Sequence, residues 1–154
     1  MVTEGELAPD FTLTDDSGEP VTLSSFRGRS VILYFYPKDD TPGCTTEACE
    51  FRDAYDRFRE RGVEVIGVSP DRVDSHRKFK DKYELPFPLL ADPEHEVAES
   101  YGVWVEKKNY GKTYMGIDRS TFVIGPDGTV VDAMRGIKAA GHAAKVLEQV
   151  GAAR

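Results

Sequence analysis

Cys44 and Cys49 are the two cysteines of this 154-residue chain, and their type and spacing could support redox chemistry. Both follow the apolar run Val31–Tyr36 and the polar segment Pro37–Thr41, which places them at a junction between a strand and a helix. A free thiol has a pKa near 8.5 and is only about 3% ionised at pH 7. A nucleophilic cysteine at this junction therefore requires a group that stabilises its thiolate.

The predicted helix start places Cys44 among unpaired backbone amides. If Thr41 is the N-cap and Pro42 the first helical residue, Cys44 is the third helical residue, inside the turn whose amides lack helical acceptors. The positive helix end stabilises an anion there by about 0.3 to 1 kcal/mol, which lowers a thiol pKa by about one unit at most. Neighbouring carboxylates oppose this effect, so a nearby cation is required. The spacing of residues in the sequence does not identify which arginine supplies that cation.

The five-residue spacing of the cysteines sets a second constraint. In an intact helix, Cα atoms five residues apart lie about 8.5 Å from one another. A disulfide bridges at most about 7 Å between Cα atoms. A bond between Cys44 and Cys49 therefore requires the first turns of the helix to open, so oxidation would act as a switch on local folding.

Other interpretations of the cysteine pair stay open at this point. Cysteine is also a small apolar residue that packs in helical cores. A zinc site requires further ligands, and the three histidines, His76, His95 and His142, are distant from the cysteines in sequence. A dithiol oxidoreductase would carry Cys-x-x-Cys here, whereas four residues intervene. A redox-sensing or partner-binding module, switched by a Cys44–Cys49 disulfide, fits the requirement for helix opening.

Hydrophobic patterning predicts the elements around the cysteines. Val31–Tyr36 and Val63–Val68 are apolar on both faces, as are central strands covered on both sides. Apolar residues at three- and four-residue spacing predict a helix between them, which Gly62 can close in the left-handed conformation. The apolar face of this helix consists of Ala48, Phe51, Tyr55 and Phe58. Strand, helix and strand form a βαβ unit.

Flanking segments extend this unit on the amino-terminal side and in the middle of the chain. Phe11–Leu13 and Val21–Leu23 alternate around a turn and predict an amino-terminal β-hairpin. Val73–Tyr83 predicts a second helix. A third helix is predicted to begin at Asp92–Pro93, an N-cap followed by a first-turn proline, and to end before Gly102.

The carboxy-terminal part predicts a second hairpin and a last helix. Thr121–Ile124 and Thr129–Val131 flank the turn Gly125–Gly128. The last helix, predicted to end near Gly151, has an apolar face of Ala143, Val146, Leu147 and Val150. This element order is typical of a thioredoxin-like α/β sandwich, a central mixed β-sheet flanked by helices. Because no linker or repeat divides residues 1–154, we expect one domain.

Composition excludes some function classes. A net charge of −7 argues against sequence-independent binding of nucleic acid, which requires clustered lysines and arginines. The small cluster of Lys107, Lys108 and Lys112 is predicted to lie in a solvated loop. The amino terminus Met1–Glu6 is acidic where a signal peptide would be basic, and the longest apolar run, Val31–Tyr36, is far too short to span a membrane. We therefore expect a cytoplasmic protein.

The segment that contains both cysteines resembles that of a known family, the peroxiredoxins. Within that family, it resembles the atypical two-cysteine group called peroxiredoxin Q or bacterioferritin comigratory protein. Pro37, Thr41 and Cys44 match the pattern of the family's peroxidatic site. Cys49 is at the position where many members of this group keep the resolving cysteine. The segment Gly116–Ile124 is similar to the one in which the family places its active-site arginine.

The resemblance implies a role for each of these residues. Cys44 would attack the distal oxygen of a peroxide as a thiolate. Arg119, within the downstream segment, would stabilise that thiolate and hold the peroxide oxygens together with the Thr41 hydroxyl. Pro37 would shield the pocket from water. Glu47, one helical turn after Cys44, would hold Arg119 in place.

The resemblance also implies a complete reaction cycle. The protein would be a thiol peroxidase that reduces hydrogen peroxide and organic hydroperoxides in antioxidant defence. Cys44 would become a sulfenic acid, and Cys49 would condense with it to form an intramolecular disulfide. Thioredoxin or a similar dithiol reductant would recycle the disulfide. No cofactor and no metal are implied, and we expect a monomer or a weak dimer.

Overall fold

Residues 2–152 are the part of the chain that the computed structural model describes, with side chains described through Val150. They contain nine strands, four α-helices and one short 3-10 helix (Leu23–Phe26). The strands are β1 (Thr12–Asp15), β2 (Pro20–Thr22), β3 (Ser30–Phe35), β4 (Val63–Ser69), β5 (Leu89–Ala91), β6 (Trp104–Asn109), β7 (Lys112–Ile117), β8 (Ser120–Ile124) and β9 (Val130–Met134). The helices are α1 (Pro42–Glu60), α2 (Val73–Tyr83), α3 (Glu96–Ser100) and α4 (His142–Ala152).

The central sheet is mixed and contains seven strands in the order β2-β1-β5-β4-β3-β8-β9. β4 runs parallel to both β3 and β5, and the other neighbours in this sheet are antiparallel. α1 connects the parallel strands β3 and β4, which confirms the predicted βαβ unit. The predicted amino-terminal hairpin is the antiparallel pair of β1 and β2.

Strand β3 is covered on both faces, which explains its apolar sequence. Ile32 and Tyr34 belong to the core layer under α1, α2 and α4. Leu33 and Phe35 belong to the layer on the opposite face, which α3 covers. All four side chains are at most 1% exposed. Successive strand residues point to opposite faces, so a strand between two layers is apolar throughout.

Helix α1 starts and ends where its local sequence predicts. Thr41 is the extended N-cap residue, with φ −98° and ψ 156°, and Pro42 is the first helical residue. The amide of Thr45 donates the first helical hydrogen bond to the Thr41 carbonyl at 2.8 Å. The chain leaves the helix through Gly62, whose φ of +71° lies in the left-handed region that glycine adopts readily. Cys44 is therefore the third helical residue, as predicted.

The start predicted for the third helix, Asp92–Pro93, is wrong, because α3 begins at Glu96. The amide of Asp92 donates to the carbonyl of Ser69 at 2.9 Å, so this residue still belongs to the edge of the sheet. The chain must turn before it can enter a helix. The Asp92 carboxylate nevertheless accepts a hydrogen bond from the Ala98 amide at 2.9 Å and so caps α3 from a distance.

The lysine cluster predicted as a solvated loop is instead a two-stranded ribbon. Lys107 and Lys108 lie in β6, Lys112 lies in β7, and the two strands pair antiparallel outside the central sheet. Their turn consists of Tyr110 and Gly111, with φ values of +52° and +77°. Two successive residues with positive φ favour a tight hairpin because the turn then matches the twist of the strands. Both faces of the ribbon carry polar residues, so no apolar alternation marks it in the sequence.

The carboxy-terminal elements match the prediction. β8 and β9 form the expected antiparallel hairpin, and α4 packs its apolar face on α1. α4 extends through Ala152, so it includes Gly151, near which the helix was predicted to end. The side chains beyond Val150 and the residue Met1 are outside the described part of the chain. Within residues 2–152, no helix combines the length and the apolar character needed to cross a bilayer.

Two leucines provide a matched test of the core. Leu33 is 0% exposed, whereas Leu7 is 66% exposed. We expect Leu33→Ala to lower the free energy of unfolding by about 2 to 5 kcal/mol, because it removes buried methyl groups and leaves a cavity. Leu7→Ala should change it by less than about 0.5 kcal/mol. Urea denaturation followed by circular dichroism measures both, and equal effects of the two substitutions would contradict the layered core.

Candidate active site

Arg119 joins the two side chains on α1 that the sequence analysis singled out. Its Nη2 donates a hydrogen bond to Sγ of Cys44 at 3.2 Å, and its Nη1 donates to Oε1 of Glu47 at 2.6 Å. Cys44 and Glu47 are three residues apart on α1 and therefore share one helix face. A single guanidinium thus contacts the thiol and the carboxylate at the same time.

The central sheet brings Arg119 to the start of α1. In β8, Ser120 pairs with Phe35, the last residue of β3, so Arg119 lies at the end of the strand that leads into α1. The Arg119 carbonyl accepts a hydrogen bond from the Ile137 amide at 3.1 Å, which holds this turn from the other side. The position of Arg119 therefore depends on the register of β3 and β8.

Gly43 permits the close approach of the guanidinium to the helix start, and the sequence analysis did not identify it. A Cβ at this position would lie 3.2 Å from Nη2 of Arg119. The available signal was a glycine in the first turn of a helix, where it lowers helix stability. Cys44 is 2% exposed and the Arg119 side chain is 16% exposed. The guanidinium therefore reaches from the buried sulfur to the surface.

Burial dominates the electrostatics of Glu47. This residue is 0% exposed, and its Oε2 has no hydrogen-bond partner among the described residues. Burial raises the pKa of the Glu47 carboxyl to about 7, although Arg119 acts in the opposite direction. Burial also disfavours the charged guanidinium, but Glu47 and Cys44 outweigh it and raise the pKa of Arg119. Arg119 therefore remains a cation beside the thiol.

Cys49 is half-buried and lies further along the same uninterrupted helix. Both cysteines are free thiols, and α1 is helical from Pro42 through Glu60. The sequence analysis predicts this arrangement for the reduced form, because helical residues five positions apart lie too far from one another for a disulfide bond. Cys49 is thus close to Cys44 in sequence, but the two cysteines do not form a disulfide.

Pro37 and Thr41 lie in the loop between β3 and α1, and both are half-buried. The Thr41 hydroxyl donates a hydrogen bond to the Lys38 carbonyl at 2.9 Å. Among the described residues, Cys44 and Glu47 are the side chains to which Arg119 donates. The structure therefore brings together Cys44, Arg119 and Glu47, and it places Thr41 and Pro37 in the adjoining loop without a hydrogen bond to the guanidinium.

The three histidines occupy separate surroundings. His76 is buried between α2 and the sheet, and His95 stacks on Trp104 with ring centroids 4.0 Å apart. Nε2 of His142 lies 2.8 Å from the Thr121 hydroxyl, and burial, together with nearby cations, lowers the pKa of His142 to about 4. Within residues 2–152, no group of three or more His, Cys, Asp or Glu side chains converges as metal ligands do.

Comparison with known proteins identifies the family. The model of the AhpC/TSA family matches residues 5–133. The chain belongs to the AhpC/TSA family. It is 53% identical over 144 residues to Peroxiredoxin Bcp of Bacillus subtilis, an alignment that covers 94% of this chain and 92% of that protein. The resemblance to the peroxiredoxins, and to the peroxiredoxin Q group within them, is thereby confirmed.

Solved structures of this group have the same fold. A cysteine-to-serine variant of Peroxiredoxin Q from Xanthomonas campestris superposes with a TM-score of 0.93 at 40% identity, over 100% of both chains. The bacterioferritin comigratory protein of the same organism, studied for its alkyl peroxide reduction activity, superposes with a TM-score of 0.89 at 41% identity, covering 93% of this chain and 91% of that chain. The predicted thioredoxin-like fold and the assignment to the peroxidase enzymes are confirmed.

The raised pKa of Glu47 predicts a pH-dependent stability. The Glu47 carboxyl binds its proton more tightly in the folded state than in the unfolded chain. Its protonation therefore stabilises the fold fully below about pH 4.5, and this contribution to the free energy of unfolding is lost as the pH rises towards about 7. Glu47→Gln removes the titration. We therefore expect the free energy of unfolding of the variant, relative to the wild type, to rise over this interval.

Urea denaturation at several pH values measures this difference. Glu60→Gln, at the exposed end of α1, provides the control. Its stability should follow the wild-type curve at every pH. Parallel curves for Glu47→Gln and the wild type would contradict the assignment of the titration to this buried carboxyl.

Proposed function

We propose that the protein reduces hydrogen peroxide and organic hydroperoxides at Cys44. The thiolate attacks the distal oxygen, the O–O bond breaks, and the leaving alkoxide or hydroxide takes a proton to become an alcohol or water. Cys44 then carries the oxygen as a sulfenic acid. The observation that carries the proposal is the hydrogen bond of 3.2 Å from Arg119 to the Cys44 sulfur. The alkyl peroxide reduction activity named for the Xanthomonas campestris relative supports the organic substrates.

Arg119 serves two purposes in this proposal. Its hydrogen bond to the sulfur stabilises negative charge there. Ionisation alone raises the reactive fraction of a thiol only by about thirtyfold when its pKa falls from 8.5 to 6. A thiolate also loses nucleophilicity as its pKa falls. The larger contribution is therefore stabilisation of the charge on the departing oxygen by fixed donors, which Arg119 and the first amides of α1 supply.

Thr41 and Pro37 complete the substrate site in this proposal. The hydrogen bond from the Thr41 hydroxyl to the Lys38 carbonyl commits its proton and leaves the oxygen free to accept one from a hydroperoxide. Pro37 has no amide hydrogen and limits the entry of water from the β3 side. Glu47 fixes the orientation of the guanidinium through its hydrogen bond of 2.6 Å.

Cys49 resolves the sulfenic acid after the helix opens. Its thiolate attacks Sγ of Cys44, hydroxide leaves as water, and a disulfide forms. Two contacts to the end of α2 bracket the segment that must open. Upstream, the Asp40 carboxylate accepts hydrogen bonds from Lys82 and from the Tyr83 hydroxyl, both at 2.8 Å. Downstream, Nη1 of Arg52 donates to the Tyr83 carbonyl at 2.7 Å.

A dithiol reductant, thioredoxin or a similar protein, returns the disulfide to two thiols. A thiolate of the reductant attacks one sulfur of the Cys44–Cys49 bond and forms a mixed disulfide, which its second thiol then releases. A cycle that begins and ends with two free thiols suits a reducing compartment, so we propose a cytoplasmic location. We further propose that residues 1–154 form one domain that acts as a monomer or weak dimer, without nucleic acid, membrane or cofactor.

Cysteine substitutions test the two chemical steps. In an assay coupled to thioredoxin and its reductase, Cys44→Ser should abolish peroxide consumption because the nucleophile is lost. Cys49→Ser should consume about one peroxide per chain and then stop. Thr46→Ser, on the exposed face of the same turn, should retain turnover. Turnover near the wild-type level in Cys44→Ser would refute the proposal. If Cys44 reacts with peroxide no faster than a free thiol does, the result would favour the alternative of a redox-sensing or partner-binding module.

Amide hydrogen exchange tests the helix opening. Oxidation with one equivalent of peroxide should remove protection from the amides of residues 44–50, because the disulfide cannot form in an intact helix. The amides of α2 should keep their protection, since its contacts lie outside this segment. Cys49→Ser, which forms no internal disulfide, should show no such loss. Equal exchange in the reduced and oxidised wild type would contradict the coupling.

A further inference from the structure

A buried cluster of polar side chains holds the loop that carries Pro37 and Thr41, and none of the steps above uses it. At its centre is Asp39. The Asp39 carboxylate accepts hydrogen bonds from the Tyr36 hydroxyl at 2.5 Å and from the Ser75 hydroxyl at 2.7 Å. The same carboxylate lies 2.6 Å from Nδ1 of His76. The side chains of Asp39 and His76 are 3% and 0% exposed, so solvent does not compete for these contacts.

The partners of His76 determine how many protons the pair holds. Nε2 of His76 lies 2.9 Å from the Leu90 carbonyl, which only accepts hydrogen bonds, so Nε2 carries a proton. Nδ1 faces an oxygen of Asp39 at 2.6 Å. Two acceptors at this distance would repel one another, so a second proton lies between Nδ1 and the carboxylate. The pair therefore holds two protons and is neutral as a unit.

A second carboxylate makes this proton necessary. The backbone amide of Asp39 donates to Oδ2 of Asp71 at 2.6 Å. Burial raises the pKa of Asp71, and the hydrogen bond from the Asp39 amide lowers it. The charge of the Asp39 carboxylate acts in the same direction as burial, whereas His76 and Lys38 act against it. Without the shared proton, the carboxylates of Asp39 and Asp71 would lie near one another with no compensating positive charge on His76.

We propose that His76 is a positioning residue for the peroxide site, which it serves by sharing a proton with Asp39 and so fixing the loop Pro37–Thr41. The inference rests on the proposed reduction of peroxides at Cys44. His76 acts from α2 through Asp39, which lies midway between the two loop residues assigned to the substrate. A displacement of such residues by about 1 Å can slow a reaction as much as 100-fold.

Nuclear magnetic resonance of the reduced protein, labelled with ¹⁵N-histidine, tests the shared proton directly. We expect both ring nitrogens of His76 to show bound hydrogen at neutral pH, with the Nδ1 hydrogen strongly downfield in a short hydrogen bond. Asp39→Asn, whose amide can donate to Nδ1, should remove that resonance and leave hydrogen on Nε2 alone. A wild-type spectrum without hydrogen at Nδ1 would overturn the proposal, whether or not any variant folds.

Stopped-flow kinetics test the positioning role. His76→Gln should slow the reaction of Cys44 with hydrogen peroxide by about tenfold or more. Its alkylation by iodoacetamide, which depends on the thiolate and not on the peroxide site, should change less than about twofold. His95→Gln, a partly exposed histidine on another element, is the matched control and should react at the wild-type rate.

The outcomes separate the two proposals. If His76→Gln reacts with peroxide as fast as the wild type, the positioning role is wrong while peroxide reduction stands. An equal loss of peroxide and iodoacetamide reactivity would also overturn it, since the thiol itself would then be disturbed. If the wild-type protein shows no peroxide reaction beyond that of a free thiol, the proposed function fails, and the resonance experiment still decides the proton count.

Discussion

The contact of one guanidinium with both a thiol and a carboxylate is the interaction on which the rest of the structure depends. Arg119 reaches Cys44 at 3.2 Å and Glu47 at 2.6 Å, in a site where the sulfur and the carboxylate are almost inaccessible to water. Low exposure strengthens each electrostatic contact, but it also makes an unpaired charge expensive. Each buried charge therefore needs a partner, and the central sheet provides one because the register of β3 and β8 places Arg119 beside the first turn of α1.

Helix α1 has to meet two opposing demands. In the proposed cycle, it must be intact to present Cys44 at its third position, and it must open for Cys49 to reach the oxidised sulfur. The contacts of Asp40 and Arg52 with the end of α2 lie on either side of this segment. Regions that open in function are drawn from the less stable parts of a fold. In the proposed cycle, these contacts would confine the opening to the turns that contain the cysteines.

Helix α2 contributes to the site without touching the sulfur. Its first turns bind Asp39 through Ser75 and His76, and its last turn binds Asp40. The loop between β3 and α1 is thus held from one helix at two successive residues, one of which, Asp40, has a φ of +56°. Such a conformation persists only when surrounding contacts hold it. The loop between β3 and α1 and the thiol are therefore held in place by different parts of the fold.

The sequence by itself determined the βαβ unit, the helix start at Thr41–Pro42 and the position of Cys44, because periodicity and capping are local signals. It did not reveal β5, the β6–β7 ribbon or the true start of α3, since a three-residue strand and a ribbon polar on both faces carry no periodicity. Arg119 was assigned from a family resemblance, and its contact with Cys44 spans 75 residues of chain. Only the tertiary structure decided that contact and the pairing of Asp39 with His76. The register of β3 and β8 brings Arg119 beside α1, and the packing of α2 on the sheet brings His76 to Asp39.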